Sequence, residues 1–535
     1  MALNSKVQVE MPKKGVIVRN SGKHRYVYHV TRTYRNELGQ PTNDRVSIGR
    51  LDETTGMLIP NDAYYDHYAT AAARVEMLPT CDSVKSIGAF FLFERIFSSL
   101  SVDSMLESGF GAGRARDVEL VAIYMACRGN VMDHALDWCE ACVPTAETIT
   151  SQSTSALFFS MDLGMRMSFF RKWVAARCQS EYLAYDVTSV SSYAKGIEDT
   201  EWGHNRDGER LPQINMAMYL GQASHLPVFY CTYPGSVVDK SHLPYMMAYN
   251  QDLGIRDVSF VMDRGFCTTA NIGYMATSHI MFVVGVEVRH KATRSAIDAV
   301  RDNMESMRNL VAKGVYARQV HGRFYGVAST MHVFFDPANA ERQRQDLFRR
   351  VGCDAEELSQ REDLSKAEAR RLSRYHHVAR GEDGGFSFEL DYDRIDSLAA
   401  NNGFFCLLTN DASLSSEDVL RIYRDKDTIE KGFDDLKNHL DMDRLRTHVA
   451  ETTDGKVFCA FLSLIAVFEL ENHLSGFMKD KNMSKDRVIS ELEKIRVITT
   501  SNGRRLMNPL TKTQKTILEA FSLTEDDMKG YVATL

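Results

Sequence analysis

The sequence predicts an α+β chain of several domains, built around a mixed sheet flanked by helices, and three features carry that prediction. Between 181 and 286, apolar β-branched runs and helical stretches follow the order strand, strand, strand, helix, strand, helix, strand. Residues 63–180 before it are helical in period, and the opening fifty residues alternate as strands do. Far downstream, residues 422–440 form one charged amphipathic helix, with Ile422, Ile429, Phe433, Leu436 and Leu440 along a single apolar stripe.

Composition bounds the rest. At 535 residues the chain is long enough for about two to four domains, and 44% hydrophobic with 25% charged residues is ordinary for a soluble globular protein. The longest apolar run, 457–470, is broken by Ser463 and Glu469 and is too short to span a bilayer, so no membrane is expected. The polar opening Met-Ala-Leu-Asn-Ser-Lys is no secretory signal. Ten scattered cysteines suit reduced thiols in a cytoplasm. Cys139 and Cys142 form the one Cys-x-x-Cys pair, without the second pair that structural zinc requires. A net charge of −7 excludes a uniformly basic nucleic-acid coat, so any such surface is local.

Residues 1–62 read as a small basic β unit. The first fifty hold ten Lys or Arg against three acidic residues, and Asn36-Glu-Leu-Gly-Gln-Pro marks a turn. Lys13, Lys14, Arg19 and Arg25 either bind DNA there or decorate a solvated sheet. Residues 63–180 form a helical domain, with helices expected at 87–100, 118–127 and 165–176. A helix–turn–helix at 148–157 followed by Phe169-Phe-Arg-Lys-Trp is the DNA-binding alternative to plain support.

The first part of the central core spans 181–288. Asp186 lies inside the run Glu181-Tyr-Leu-Ala-Tyr-Asp-Val-Thr-Ser-Val, and Asp263 ends Val258-Ser-Phe-Val-Met-Asp. An aspartate in such a run is either paired and buried or turned outward as a ligand, because burying an unpaired charge is very costly. Residues 213–220 and 227–233 form a hairpin, 241–250 a crossing helix, and 280–286 a further strand. Glu430 stands 167 residues after Asp263, against 77 between the aspartates, so 289–410 is expected as an insertion, mainly β with a charged helix. Its 289–350 portion carries twelve Lys or Arg against six acidic residues. Residues 411–450 hold the helix with Glu430. Residues 451–535 form a helical C-terminal region around a strand at 496–500, suited to support or dimer contact.

Tyr423, Glu430 and Lys437 make a second stripe on the 422–440 helix, with Lys426 four residues before Glu430. By itself this is either a solvated face of ion pairs or a fixed, ionised carboxylate. The spacing Tyr-x2-Lys-x3-Glu-x6-Lys resembles the Tyr–Arg–Glu–Lys motif of cut-and-paste DDE transposases from bacterial insertion sequences, with Lys426 in the place of the family's Arg and Arg424 two residues earlier. The order of strands, with Asp on the first and fourth, is similar to the ribonuclease-H-like core of the same proteins. Ser47-Ile-Gly-Arg-Leu-Asp-Glu-Thr-Thr-Gly, Asp186-Val-Thr-Ser, Gly203-His-Asn-Arg-Asp, Pro234-Gly-Ser-Val-Val-Asp-Lys and Asp263-Arg-Gly-Phe look like further blocks of that family.

That resemblance implies a metal-dependent DNA transposase. Asp186, Asp263 and Glu430 would be catalytic and would hold two Mg²⁺ ions, with Mn²⁺ able to substitute and Asp186 shared between the two. All-oxygen ligation suits both metals. Tyr423, Lys426 and Lys437 would grip phosphates near the cleaved end, with Arg424 and Arg264 beside them. The implied partners are double-stranded DNA, as element terminal inverted repeats and target, and a second copy of the chain in the DNA complex. The implied place is the bacterial cytoplasm, at the nucleoid when acting. The alternatives are a nuclease on the same core that never joins strands, and a non-catalytic relative that coats element ends.

Overall fold

The computed structural model describes residues 7–22, 24–36, 39–68, 81–177, 181–256, 258–358, 365–380 and 386–535. It divides into two compact units, one of Met1–Ile87, Glu493–Lys512 and Thr524–Leu535, the other of Gly88–Leu492 and Thr513–Leu523.

In the first unit, β1 (Val16–Ser21), β2 (His24–Arg35), β3 (Pro41–Leu51) and β4 (Leu58–Pro60) form an antiparallel sheet in sequence order. Val27, Ile48 and Leu58 close its small core, with Val16, Val18, Tyr64 and Tyr68 packed against them. The alternation read at 16–31 is the pattern of a sheet with one face covered. A strand also occurs where only helices were expected: β5 (Cys81–Ser86) pairs antiparallel with Arg496–Thr500, the strand foreseen near the C-terminus, and Arg505–Met507 completes a three-stranded sheet. The ladder partner of β5 lies some four hundred residues away in sequence, so no local pattern marks it.

The second unit combines a helical layer with one large sheet. The helices Gly88–Ser99, Ala112–Arg128 and Ser151–Phe159 pack around the long helix Ala450–Lys481. From Val457 to Phe468 that helix is buried on all sides, as a run interrupted only by Ser463 requires. It extends well beyond the run read from the sequence. By length and composition it is long enough to cross a membrane, yet 78% of its most apolar window is buried inside the protein. The supposed recognition segment is core as well: Phe169, Phe170 and Trp173 on the helix Leu163–Arg177 are buried, and the Trp173 indole donates to the Pro227 carbonyl (2.9 Å).

The large sheet contains β6 (Tyr182–Ser191), β7 (Gln213–Gly221), β8 (Pro227–Pro234), β9 (Ser259–Met262), β10 (Met281–Val286), β11 (Leu310–Ala312), β12 (Val315–Phe324), β13 (Val327–Phe335) and β16 (Phe404–Thr409). The small pair β14 (His376–Arg380) and β15 (Phe386–Leu390) stands apart from it. Its order is β11-β12-β13-β16-β10-β9-β6-β7-β8. Within it, β8-β7-β6-β9-β10 is the expected ribonuclease-H-like arrangement: β6, β7 and β8 are antiparallel, whereas β9 and β10 run parallel to β6. The helices Asp239–Leu253 and Thr269–Thr277 make the two parallel crossovers.

Residues 289–410, expected as an insertion that is mainly β with a charged helix, join the central sheet in part. β16 pairs antiparallel with β10, and β13, β12 and β11 add outward from it. An exposed edge at β10 would leave a row of backbone donors and acceptors unpaired, and these strands satisfy it. The helix at 422–440 differs from the single one expected, because it is two helices, Ser416–Asp425 and Asp427–Asp434, ending in a π turn at Asp435–His439. At the break the bonds shorten to three-residue steps, from the Lys426 amide to the Tyr423 carbonyl (3.3 Å) and from the Ile429 amide to the Lys426 carbonyl (3.0 Å). The apolar stripe survives the break: Ile422, Ile429, Phe433, Leu436 and Leu440 are all buried.

Candidate active site

The last residue pair between the parallel strands β6 and β9 is Tyr185 with Met262. Asp186 follows within β6 and Asp263 directly after the end of β9, so the ladder sets their backbones side by side, about 4.8 Å apart. Helix Asp427–Asp434 packs across β6 and β7 and brings in Glu430. The close fit depends on Gly432, where a Cβ would lie 2.9 Å from Phe468 Cζ and 3.4 Å from Met218 Cε. Asp186, Asp263 and Glu430 then line one cavity of about 690 Å³, together with Arg206, Asp239 and Lys240.

Each carboxylate has its own partner. Asp186 is buried; it accepts from the Val187 amide (2.8 Å) and from Arg206 Nη1 (3.3 Å). Burial pushes its carboxyl up, against the pull of Arg206, the Val187 amide and Lys426. Asp263 accepts from the Tyr423 hydroxyl (3.0 Å), whose own pKa burial and Asp263 raise. Tyr423 reaches it over Gly285 of β10, where a Cβ would sit 2.7 Å from the phenolic oxygen. Glu430 accepts from Lys426 Nζ (2.9 Å). Lys426, placed by its spacing on a polar stripe, is 4% exposed. Burial opposes its charge, but Glu430, Asp186 and Asp263 together hold its pKa above the usual lysine value.

The other predicted residues divide between the site and the surface. Lys437 lies on the π turn and donates to both oxygens of Asp207 (2.8 and 2.6 Å), not to open solvent. Arg264 opens a 3₁₀ turn directly after Asp263, and both border a second cavity of about 1000 Å³ with Tyr423, Arg289 and Arg294. Arg424 is exposed and lines neither this cavity nor that of the carboxylates. Lys13, Lys14, Arg19 and Arg25 are exposed on and beside the N-terminal sheet. Cys139 and Cys142 are buried on the helix Ala135–Cys142.

Residues without a role in the sequence reading also converge here. The β6–β7 connection carries Arg206, which bridges Asp186 and Asp239 (2.9 Å to the latter). Asp207 on the same connection meets Lys437, and Glu209 meets Arg444. The blocks Gly203-His-Asn-Arg-Asp and Pro234-Gly-Ser-Val-Val-Asp were the only signal for Arg206 and Asp239, and it gave them no role.

Three carboxylates facing one cavity form an all-oxygen donor set of the kind that hard divalent cations prefer. Among the described residues, no group of three or more His, Cys, Asp or Glu side chains is closed tightly enough to hold an ion. Arg206 and Lys426 offset part of that negative charge.

The sheet order, three antiparallel strands followed by two parallel ones with helical crossovers, defines a protein with a ribonuclease-H-like core. More particularly, the chain matches the transposase DDE domain over residues 178–465, more than half its length, and belongs to that family. Among solved structures it is similar to a piggyBac transposase in a cryo-EM synaptic complex with hairpin DNA, at 9% identity and TM-score 0.36 over 85% of this chain and 86% of that one. Comparison with curated proteins finds none that matches.

Proposed function

We propose that this DDE transposase cleaves at the ends of its own mobile element, an insertion sequence, and joins the freed 3′-hydroxyls to target DNA. The supporting observation is that Asp186, Asp263 and Glu430, separated by 77 and 167 residues, line one cavity. Asp186 would be shared by two divalent ions, Mg²⁺ or Mn²⁺, with Asp263 on one and Glu430 on the other. Once bound, the ions supply activation of the attacking oxygen and stabilisation of the leaving one in an in-line displacement at phosphorus. The chain's residues hold the carboxylates in place: β6 and β9 by their register, Tyr423 through its bond to Asp263, and Lys426 through its bond to Glu430.

The groove suits a DNA strand. Asp263 borders both the carboxylate cavity and the one with Arg264, Arg289 and Arg294. Glu430 also borders a cavity where Lys437 and Arg444 stand beside Asp207, Glu209, Asp434 and Asp443. Arginines would therefore adjoin the acidic centre on the Asp263 side, where the DNA backbone would pass. The two copies of such a complex would act in the bacterial cytoplasm, on terminal repeats and target together.

Strand joining is the test. A duplex with a free 3′-hydroxyl element end, incubated with target DNA and Mg²⁺, is expected to yield joined products. Cleavage without joining would identify a hydrolytic nuclease, and binding without metal or cleavage a protein that only coats ends.

The basic opening gives a separate expectation. Neutralising Lys13, Lys14, Arg19 and Arg25 together weakens binding to element ends and flattens its salt dependence by about 0.9 log units per lost phosphate contact. Cleavage at saturating DNA persists. Binding titrations across a salt series measure the slope, and an unchanged slope makes the opening a solvated sheet.

A further inference from the structure

Two cations of the chain face Asp186, and they differ in freedom. Lys426 is buried at the break between two helices, its side chain 5% exposed, and cannot leave. Arg206 has a side chain 34% exposed and sits on the connection between β6 and β7. It reaches Asp186 with one guanidinium nitrogen and Asp239 with the other. Its connection is fastened by Asp207 to Lys437 and by Glu209 to Arg444. Those two basic residues line a cavity beside Glu430 that also holds Asp434 and Asp443, and DNA phosphates entering it would compete for them.

We propose that Arg206 is a phosphate-binding residue of the active centre, parked on Asp186 and Asp239 while DNA is absent. It neutralises Asp186 in the free protein, and when divalent ions take that carboxylate it turns to a non-bridging oxygen of the DNA backbone in the same cavity. A guanidinium suits both tasks, because its planar fork matches carboxylate and phosphate alike. Phosphates drawing Lys437 and Arg444 from Asp207 and Glu209 would loosen the connection and let Arg206 move. This inference rests on the metal-dependent reading of the site.

Mn²⁺ binding to the DNA-free protein, followed by the electron paramagnetic signal of free Mn²⁺, tests the parked state. Arg206→Gln removes the competing charge and is expected to bind Mn²⁺ about tenfold more tightly than wild type. End-duplex binding in Ca²⁺ tests the second state, and there Arg206→Gln is expected to lower the salt slope by about 0.9, one phosphate contact. Arg206→Lys keeps the charge without the fork and is expected to bind Mn²⁺ with an affinity between wild type and Arg206→Gln while keeping the salt slope, which guards against a misfolded glutamine variant. Asp239→Asn removes one parking site alone, leaving the salt slope unchanged. Unchanged or weaker Mn²⁺ binding by Arg206→Gln, or an unchanged slope, overturns the proposal and makes Arg206 a structural strut. Asp186→Asn separates the two readings: if it binds Mn²⁺ as wild type does, the metal is not at this site and the functional reading itself falls.

Discussion

Glu430→Gln lowers strand cleavage by about a thousandfold or more while end binding stays nearly intact. The amide keeps the size of the side chain and can still accept from Lys426, which holds the carboxylate at 2.9 Å. The Glu430 side chain is 61% exposed, so the exchange costs the fold little and a lost rate is not lost structure. What would disappear is one of the three carboxylates proposed to hold the divalent ions. Metal stabilisation of the transition state is worth several kcal/mol, and each ~1.4 kcal/mol is tenfold in rate. Binding stays level or tightens slightly, because a negative charge beside the phosphates has gone. Cleavage in Mg²⁺ and gel-shift binding on the same end duplex measure both, and a rate near wild type would make Glu430 an ordinary surface carboxylate.

Gly432→Leu lowers cleavage by about a hundredfold without touching any carboxylate. The glycine faces Phe468 of the long buried helix and Met218 of β7, where even a Cβ is closer than ordinary contact on the Phe468 side. Phe468 is 2% exposed and Met218 fully buried, so neither can clear room for a whole leucine side chain. Helix Asp427–Asp434 must therefore lift from the sheet and carry Glu430 with it. A displacement of about 1 Å at a catalytic group costs on the order of a hundredfold in rate, and overpacking costs about 1–3 kcal/mol in stability. Thermal melting is expected to show a modest fall beside the large kinetic one. Gly432→Ala, which needs only a small turn of the Phe468 ring, is expected to keep most of the rate. A leucine variant with wild-type cleavage would show that the seat of this helix does not set the position of Glu430.

Much of this protein is local in origin and therefore legible in order. The strands carrying Asp186 and Asp263, the hairpin between them and the stripe Ile422–Ile429–Phe433–Leu436–Leu440 each announce themselves by period, because one face of each element must be buried. The family of the chain follows from the same blocks, and its match covers residues 178–465. Other features are pairings between distant segments, and no window of sequence contains them. β5 finds its partner at Arg496–Thr500, and β11 to β13 join the central sheet because β16 lies beside β10. The same holds for charge. Lys426 and Lys437 read alike on a helical wheel, yet a break in the helix buries the first among three carboxylates and a π turn sets the second against Asp207. Spacing along a chain determines which side chains share a face. Which charge then meets another is decided by the packing of the faces, since a Coulomb interaction depends on distance in space and on the burial that sets its dielectric.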